Sequence, residues 1–511
     1  MTSGSRERAV TNEARGGQRR GLGRPFWHLW SAATVSNLGQ GASAIAFPWL
    51  ASTLTDQAFL IALVAVANRL PWLLFSLPAG ALADRLDRRL LMVWMTGARA
   101  VLVGVVALLV ALDAMTMPLL CGCALALGFS EVLFDNTSQV LLPSLVERRQ
   151  LDSANGRLMA TQIVADDFLA RPLGGLLLAL TLAAPFAFDA VTAVLAGVLL
   201  LSLRGTFRAA ATGPPTPAVP PAPSVVPPAP PVGPPAPPVV PAPALSPEAE
   251  PSREADRPAG PPPGGTAPGP IPGQGAPDRA APGRAAPGRA APRPSMRAET
   301  REGVRWLWSH QLLRRLALSL ALTNMASQGA MVTYVLFAQE VLGLGPVGFA
   351  LLSSVTGVGA LAGGLLAARV VRALGRARSL LLLVVVQSCV FGATGLASHA
   401  WLVGAVMSLL GFVVVLWNVV TVTIRQTLIP DRLLGRVNSV YRLLGWGTIP
   451  LGAALGGLLV TVVEPHWGRE AALRAPLLLT AVVLAALAVY VRLRLTQRVI
   501  DTALEGAAER S

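Results

Sequence analysis

The chain reads as an all-α membrane protein of twelve membrane-crossing helices, arranged as two six-helix bundles that resemble each other. Three observations predict this. Apolar runs of about 20 residues, each long enough to cross a bilayer, recur along a 511-residue chain that is 53% hydrophobic. A proline-dense segment divides those runs into two sets of six. Arginine collects at alternate ends of the runs, as the links of a multi-pass protein would require.

Residues 1–27 carry six arginines and no apolar run, and form a polar N-terminal tail. The stretch His28–Thr53 is too long for a signal-peptide core and lacks a cleavage site, so it is expected to remain as the first span. Further spans follow near 58–80, 90–112, 117–142, 155–180 and 186–203, completing a bundle over 28–204. The region 205–300 differs in kind, because 30 of the 43 prolines fall between 211 and 300. Proline at that density permits neither helix nor sheet, and large apolar residues are too few for a core. A flexible tether, partly polyproline-like, is expected there. PxxP patterns are inevitable in it and do not by themselves indicate a ligand. The second bundle occupies 301–495, with Arg305-Trp-Leu-Trp308 at the interface and spans near 312–341, 347–369, 379–398, 400–428, 437–462 and 473–495. A short polar tail, 496–511, closes the chain.

One set of links holds Arg85, Arg88, Arg89, Arg148, Arg149, Arg369, Arg372, Arg376, Arg378, Arg432 and Arg436, together with both tails and the tether. The opposite set holds Asp56, Asp113, Glu340, His399 and the stretch Glu464 to Arg474, where Arg469 and Arg474 are the only basic residues. By the positive-inside rule both termini and the tether are cytoplasmic. The expected location is the inner membrane of a bacterium.

All 42 basic residues are arginine. A Walker A loop needs its lysine, so the chain contains no ATPase of its own, and Schiff-base chemistry is excluded with it. The net charge of +15 does not indicate nucleic acid, since the arginines sit at span ends and not in a basic domain with interleaved aromatics. Cys121, Cys123 and Cys389 lie within apolar runs, and the four histidines are scattered near span ends. Neither set suggests a metal site, and no cofactor is expected.

The two halves echo each other. Gln139-Val-Leu-Leu-Pro143 recurs as Gln426-Thr-Leu-Ile-Pro430, and Gly174-Gly-Leu-Leu-Leu recurs as Gly456-Gly-Leu-Leu-Val, at offsets of 287 and 282. Gly80–Arg85 has a weaker counterpart in Gly364–Arg369. An even number of spans per half makes this a parallel repeat, with a substrate site at the midplane between halves.

Between the runs Ala58–Ala79 and Leu90–Leu112 lies Gly80-Ala-Leu-Ala-Asp84-Arg85-Leu-Asp87-Arg88-Arg89, in which five of ten residues are charged. Such a segment is expected as a short polar link outside the hydrocarbon; a generic positive cytoplasmic loop would serve as well. Its pattern resembles the loop between helices 2 and 3 of the major facilitator superfamily, with Asp87 where that pattern usually has glycine. The stretches Glu131-Val-Leu-Phe-Asp-Asn136, Leu151–Ala160, Arg171-Pro-Leu-Gly-Gly175 and Asp431–Ser439 are similar to bacterial drug and siderophore exporters of that superfamily. The nearest branch contains the enterobactin exporter and macrolide efflux proteins. The likeness covers about 28–204 and 300–495, and implies a secondary exporter coupled to proton entry. It also implies a gate formed by Gly80, Asp84, Arg85, Arg88 and Arg89. Asp84 would hold the start of the eleventh helix, Arg436–Tyr441, while Arg85 and Arg88 would pair with acids such as Asp135.

Ionisable residues inside spans are costly and therefore candidates for function. Asp166 and Asp167 lie near mid-bilayer, and Arg171, four residues past Asp167, is placed to pair with it on one helix face. A purely structural pair explains that spacing equally well. Glu131 and Asp135 are also four apart, and like charges on one face disfavour simultaneous ionisation, a condition suited to proton coupling. The order of preference for the proton site is Glu131 or Asp135, then Asp166. Arg69 and Arg99 are deep as well. The second half offers Asn324, Gln328 and Arg425 as cavity lining or interhelical hydrogen bonds. Glycines 357, 359, 363 and 364 in the eighth span, and 452, 456 and 457 in the eleventh, suit close helix contact.

The expectation is therefore a secondary transporter, acting as a monomer, that couples proton entry to efflux of small amphipathic organic molecules. An importer or uniporter of the same fold is the first alternative, and a non-transporting receptor the second, on the strength of the tether. A membrane enzyme would need a clustered His/Asp, Ser/His or metal set, and none is visible.

Overall fold

Backbone polar groups inside a bilayer must find partners within their own segment, and helices do this whatever their side chains. The computed structural model, which describes residues 22–85, 87–146, 150–202 and 296–508, is accordingly all helical. The first half consists of α1 (Gly23–Leu54), α2 (Ala58–Arg85), α3 (Arg88–Ala111), α4 (Met117–Leu145), α5 (151–180) and α6 (Ala184–Leu201). The short α7 (Met296–Ser309) introduces the second half, made of α8 (311–341), α9 (Pro346–Leu374), α10 (Arg376–Leu396), α11 (Ala400–Leu428), α12 (431–467) and α13 (469–494). Backbone at Gly468 with φ +79° separates the last two, a left-handed turn that favours glycine. A final helix, α14 (Gln497–Ala508), lies where a polar tail was expected. The tether falls almost wholly outside the described residues, although its last five expected residues, 296–300, belong to α7.

Of these helices, α2 to α4, α6, α9 to α11 and the pair α12–α13 are long and apolar enough to cross a membrane on composition alone. The three others of that length, α1, α5 and α8, carry the polar residues Asn37, Gln40, Asp166, Arg171, Asn324 and Gln328.

Two features depart from expectation at the ends. The charged link after the second span is shorter than the expected 80–89, because α2 remains helical through Arg85. At 28 residues α2 is about 42 Å long, so its last turns project beyond a hydrocarbon core of about 30 Å. Asp87 then opens α3 as an N-cap, accepting from the Leu90 amide at 3.1 Å. The aspartate that breaks the superfamily pattern thus starts a helix. The interfacial stretch near Arg305 forms α7, which packs on α12 through the Glu302–Arg436 ion pair at 2.5 Å.

Packing repeats from half to half. In the first, α3 meets α6 and α2 meets α4, where a side chain at Gly128 would overlap the Asn68 carbonyl. In the second, α10 meets α13 through Ser388 on the Ala481 carbonyl at 2.7 Å, and α9 meets α11, where a side chain at Gly411 would overlap the Thr356 carbonyl. Gly359 and Gly363 of α9, and Gly452 and Gly456 of α12, sit against neighbouring backbone in the same manner. Gly364, by contrast, has nothing within 4 Å of where a Cβ would be. Between halves, the second helix of each meets the fifth of the other, as α2 with α12 and α5 with α9.

Candidate functional site

Where the halves face each other they enclose a cavity of about 390 Å³. Five helices of the first half supply most of its wall, and α8 supplies the rest. The lining is graded along the helix axes. Phe47, Pro48, Ile61, Val64 and Leu127 occupy positions towards the ends of α1, α2 and α4 that carry the acidic links, and Gln40, Asn68, Arg69 and Glu131 lie deeper on the same helices. The apolar end of the cavity is shut. Gly175 of α5 touches Ala350, Gly457 of α12 touches Ala62, and Ser52 accepts from Gln339 at 3.0 Å across the halves. At the other end Trp72 of α2 packs on Trp446 of α12, ring centroids 4.9 Å apart. Between cavity and tryptophans Asp135 lies in the field of Glu131, Arg69 and Arg442.

The predicted residues distribute as follows. Arg69 pairs with Glu131 at 3.5 Å, and both face the cavity. Asp166 and Arg171 also face it, and the reason lies in the backbone. Residues 163–170 form a π-helical turn, so the Arg171 amide donates to the Asp166 carbonyl, five residues back. That extra residue per turn stacks 166 with 171, where an α-helix would stack 167 with 171. The expected Asp167–Arg171 pair cannot be compared, because the Asp167 side chain is outside the described residues. Arg171 also donates to the Ser353 carbonyl of α9 at 3.1 Å, tying the halves together beside the cavity. The turn lies against α1 at Gly41, where any side chain would strike Asp166 and Ala170.

In the second half Gln328 lines the cavity. Asn324 and Arg425 instead make interhelical contacts: Asn324 donates to the Gly445 carbonyl at 2.7 Å, and Arg425 donates to Asn438 at 2.9 Å while stacking on Tyr441. Of the five gate candidates, Gly80, Asp84, Arg85 and Arg88 have side chains outside the described residues. Arg89 donates to the carbonyls of Leu200 and Leu201, closing the end of α6, within its own half. Asp135 was expected near Arg85 and Arg88; among the described residues its cationic neighbours include Arg69 and Arg442.

One residue of consequence was not anticipated. Asp189 of α6 is buried, at 1% exposure, and binds Arg99 of α3 at 2.7 Å and the Ser43 hydroxyl of α1 at 2.6 Å. A lone acid in the otherwise apolar Ala184–Leu201 is the signal that could have found it. Gly39 provides its room, since a Cβ there would overlap Thr192 and approach Asp189. Among the described residues no group of histidine, cysteine or acidic side chains is placed to hold a metal.

Comparison with known proteins agrees with this architecture. The family model described as Major Facilitator Superfamily matches residues 29–449. No curated protein sequence matches the chain. Among solved structures, the nucleoside transporter NupG aligns with a TM-score of 0.63 at 9% identity, over 93% of this chain and 100% of its own. A bacterial homologue of the human lysosomal transporter Spinster, inward-facing and unoccupied, gives 0.61 at 13%, over 95% and 99%. A bacterial homologue of the iron transporter ferroportin, inward-facing, gives 0.56 at 16%, over 91% and 98%. At such identities the likeness concerns the fold.

Proposed function

The chain belongs to the major facilitator superfamily and is a multi-pass membrane transporter, not an enzyme, and from that premise we propose that it exports small amphipathic organic molecules by alternating access, driven by proton entry. The graded cavity carries this reading. Apolar walls at the shut end and paired charges deeper in suit a molecule with an apolar body and a polar head. With both termini cytoplasmic, a reading the arginine distribution supports, the shut end faces outward, and the substrate enters from the cytoplasm past Trp72 and Trp446. The protein acts as a monomer in the inner membrane of a bacterium.

The proton is assigned to the Glu131–Asp135 pair, with Asp166 as the next candidate. Both members of the pair face Arg69, and Asp135 faces Arg442 across the divide between halves. Protonation there changes the attraction between α4 and α12, and so biases one state against the other. Asp84 is assigned to the inner gate, where the family resemblance would have it hold the start of the eleventh span; Asp84→Asn should slow transport several-fold with insertion intact, and an unchanged rate removes that assignment.

The decisive measurement is efflux of a panel of dyes and antibiotics from expressing cells, with and without a protonophore. Accumulation should fall on expression and recover when the protonophore is added. Efflux indifferent to the protonophore rejects proton coupling, and net uptake rejects export.

A further inference from the structure

Behind the cavity wall the ion pair of Arg99 and Asp189 has an unusual asymmetry. Asp189 takes the guanidinium edge-on, with Nε donating to Oδ1 at 3.3 Å and Nη2 to Oδ2 at 2.7 Å. Ser43 donates to Oδ2 at 2.6 Å and holds the carboxylate from the far side. A guanidinium has five N–H donors, and this grip leaves those of Nη1 outside the pair. Arg99 lines the cavity, whereas Asp189 does not. The other wall charges differ, since Arg69 and Glu131 both line it, and so do Arg171 and Asp166. Among the described residues three arginines therefore line the cavity against two acids, and at Arg99 the paired Asp189 does not line it. Burying an ion pair generally gains nothing over apolar packing, and in a membrane span it is a functional signal. The corresponding contact in the second half, Ser388 on the Ala481 carbonyl, manages the same helix packing without charge.

We propose that the transported molecule carries an anionic head, a carboxylate or similar oxyanion, that seats on the outward donors of Arg99. Asp189 is a positioning residue: it fixes the guanidinium so that its remaining donors point at the cavity, and Ser43 fixes Asp189. The apolar body lies against Phe47, Ile61 and Val64. This assignment rests on the cavity being the substrate site, as argued above.

The test uses three probes of one shape, 1-naphthoate, 1-naphthamide and 1-naphthylmethylammonium, titrated by calorimetry into the purified full-length protein in detergent. Naphthoate should bind at least about tenfold more tightly than the amide, as a charge-assisted hydrogen bond exceeds a neutral one. The variant Arg99→Gln/Asp189→Asn, which removes both charges and leaves neither unpaired, should bring the naphthoate and amide affinities within about threefold of each other. Asp189→Asn alone should lower the naphthoate-to-amide ratio without changing the amide affinity, whereas a merely structural loss would weaken all three probes together. Arg99→Lys should restore part of the preference. A wild-type ratio at or below one, or a ratio unchanged in the double variant, overturns the proposal. If no probe binds while dye efflux persists, the anionic head is rejected and the transporter reading stands. Loss of both rejects the cavity as the substrate site.

Discussion

Single side chains do most of their work here as pairs. Asp189 holds Arg99 with the arginine 15% exposed and the aspartate 1%, so removing one partner leaves a largely buried charge without its counterion. Asp189→Ala should cost about 3–5 kcal/mol of stability, whereas the double replacement Arg99→Gln/Asp189→Asn should cost far less, because it strands no charge. Chemical unfolding of the purified protein, monitored by helix signal, separates the two outcomes; equal destabilisation would mean the pair acts through shape alone. Glu131 differs because both it and Arg69 stay partly open to the cavity, at 28% and 43%. Its loss should be felt less in stability than in coupling, so that Glu131→Gln exports with a reduced response to an imposed pH gradient. A full response in reconstituted vesicles would move the proton to Asp135 or Asp166.

At the scale of the element, the π-helical turn of α5 decides which residues face the cavity. One surplus residue rotates everything after it by about 100° relative to a continuous α-helix. Arg171 owes to that rotation both its place on the cavity wall and its bond to the Ser353 carbonyl. Deleting Val164 should restore α-helical register and swing Arg171 away. Efflux should then collapse, with the protein still present in the membrane at near wild-type amount. Retained efflux in the deletion would show that Arg171 is dispensable. Gly41 belongs to the same device, since α1 can lie against the turn only where no side chain stands.

For the whole molecule, the motion proposed above is of one half against the other, and the seams are α2 with α12 and α5 with α9. Ser52 and Gln339 touch across the shut end at 3.0 Å. With Cys121, Cys123 and Cys389 replaced, cysteines at 52 and 339 joined by a short reducible thiol crosslinker should stop efflux, and reduction should restore it. Transport that continues while crosslinked would show that this end never opens. Removing residues 211–280, which leaves a short tether, should preserve efflux in the same assay.

The apolar runs, their division into two sets of six and the polar links between them were legible along the chain, because the length of a helix that can cross hydrocarbon is a local property. So was the candidate list of Arg69, Glu131, Asp166 and Arg171, since charge inside a span is visible residue by residue. Their partners were not legible. Asp189 lies 90 positions from Arg99 in sequence, and nothing local says which faces of α3 and α6 meet. The spacing rule that joined Asp167 to Arg171 assumed an uninterrupted α-helix, whereas the π-helical turn brings the Asp166 carbonyl to the Arg171 amide. Asn324 and Arg425, eligible on polarity for the cavity, turned to neighbouring helices instead. The sequence by itself determined that this chain makes helices fit for a membrane and doubles them. Only the tertiary structure decided which charges confront one another, because that depends on the rotation of each helix about its axis, set by packing with its neighbours and not by its own residues alone.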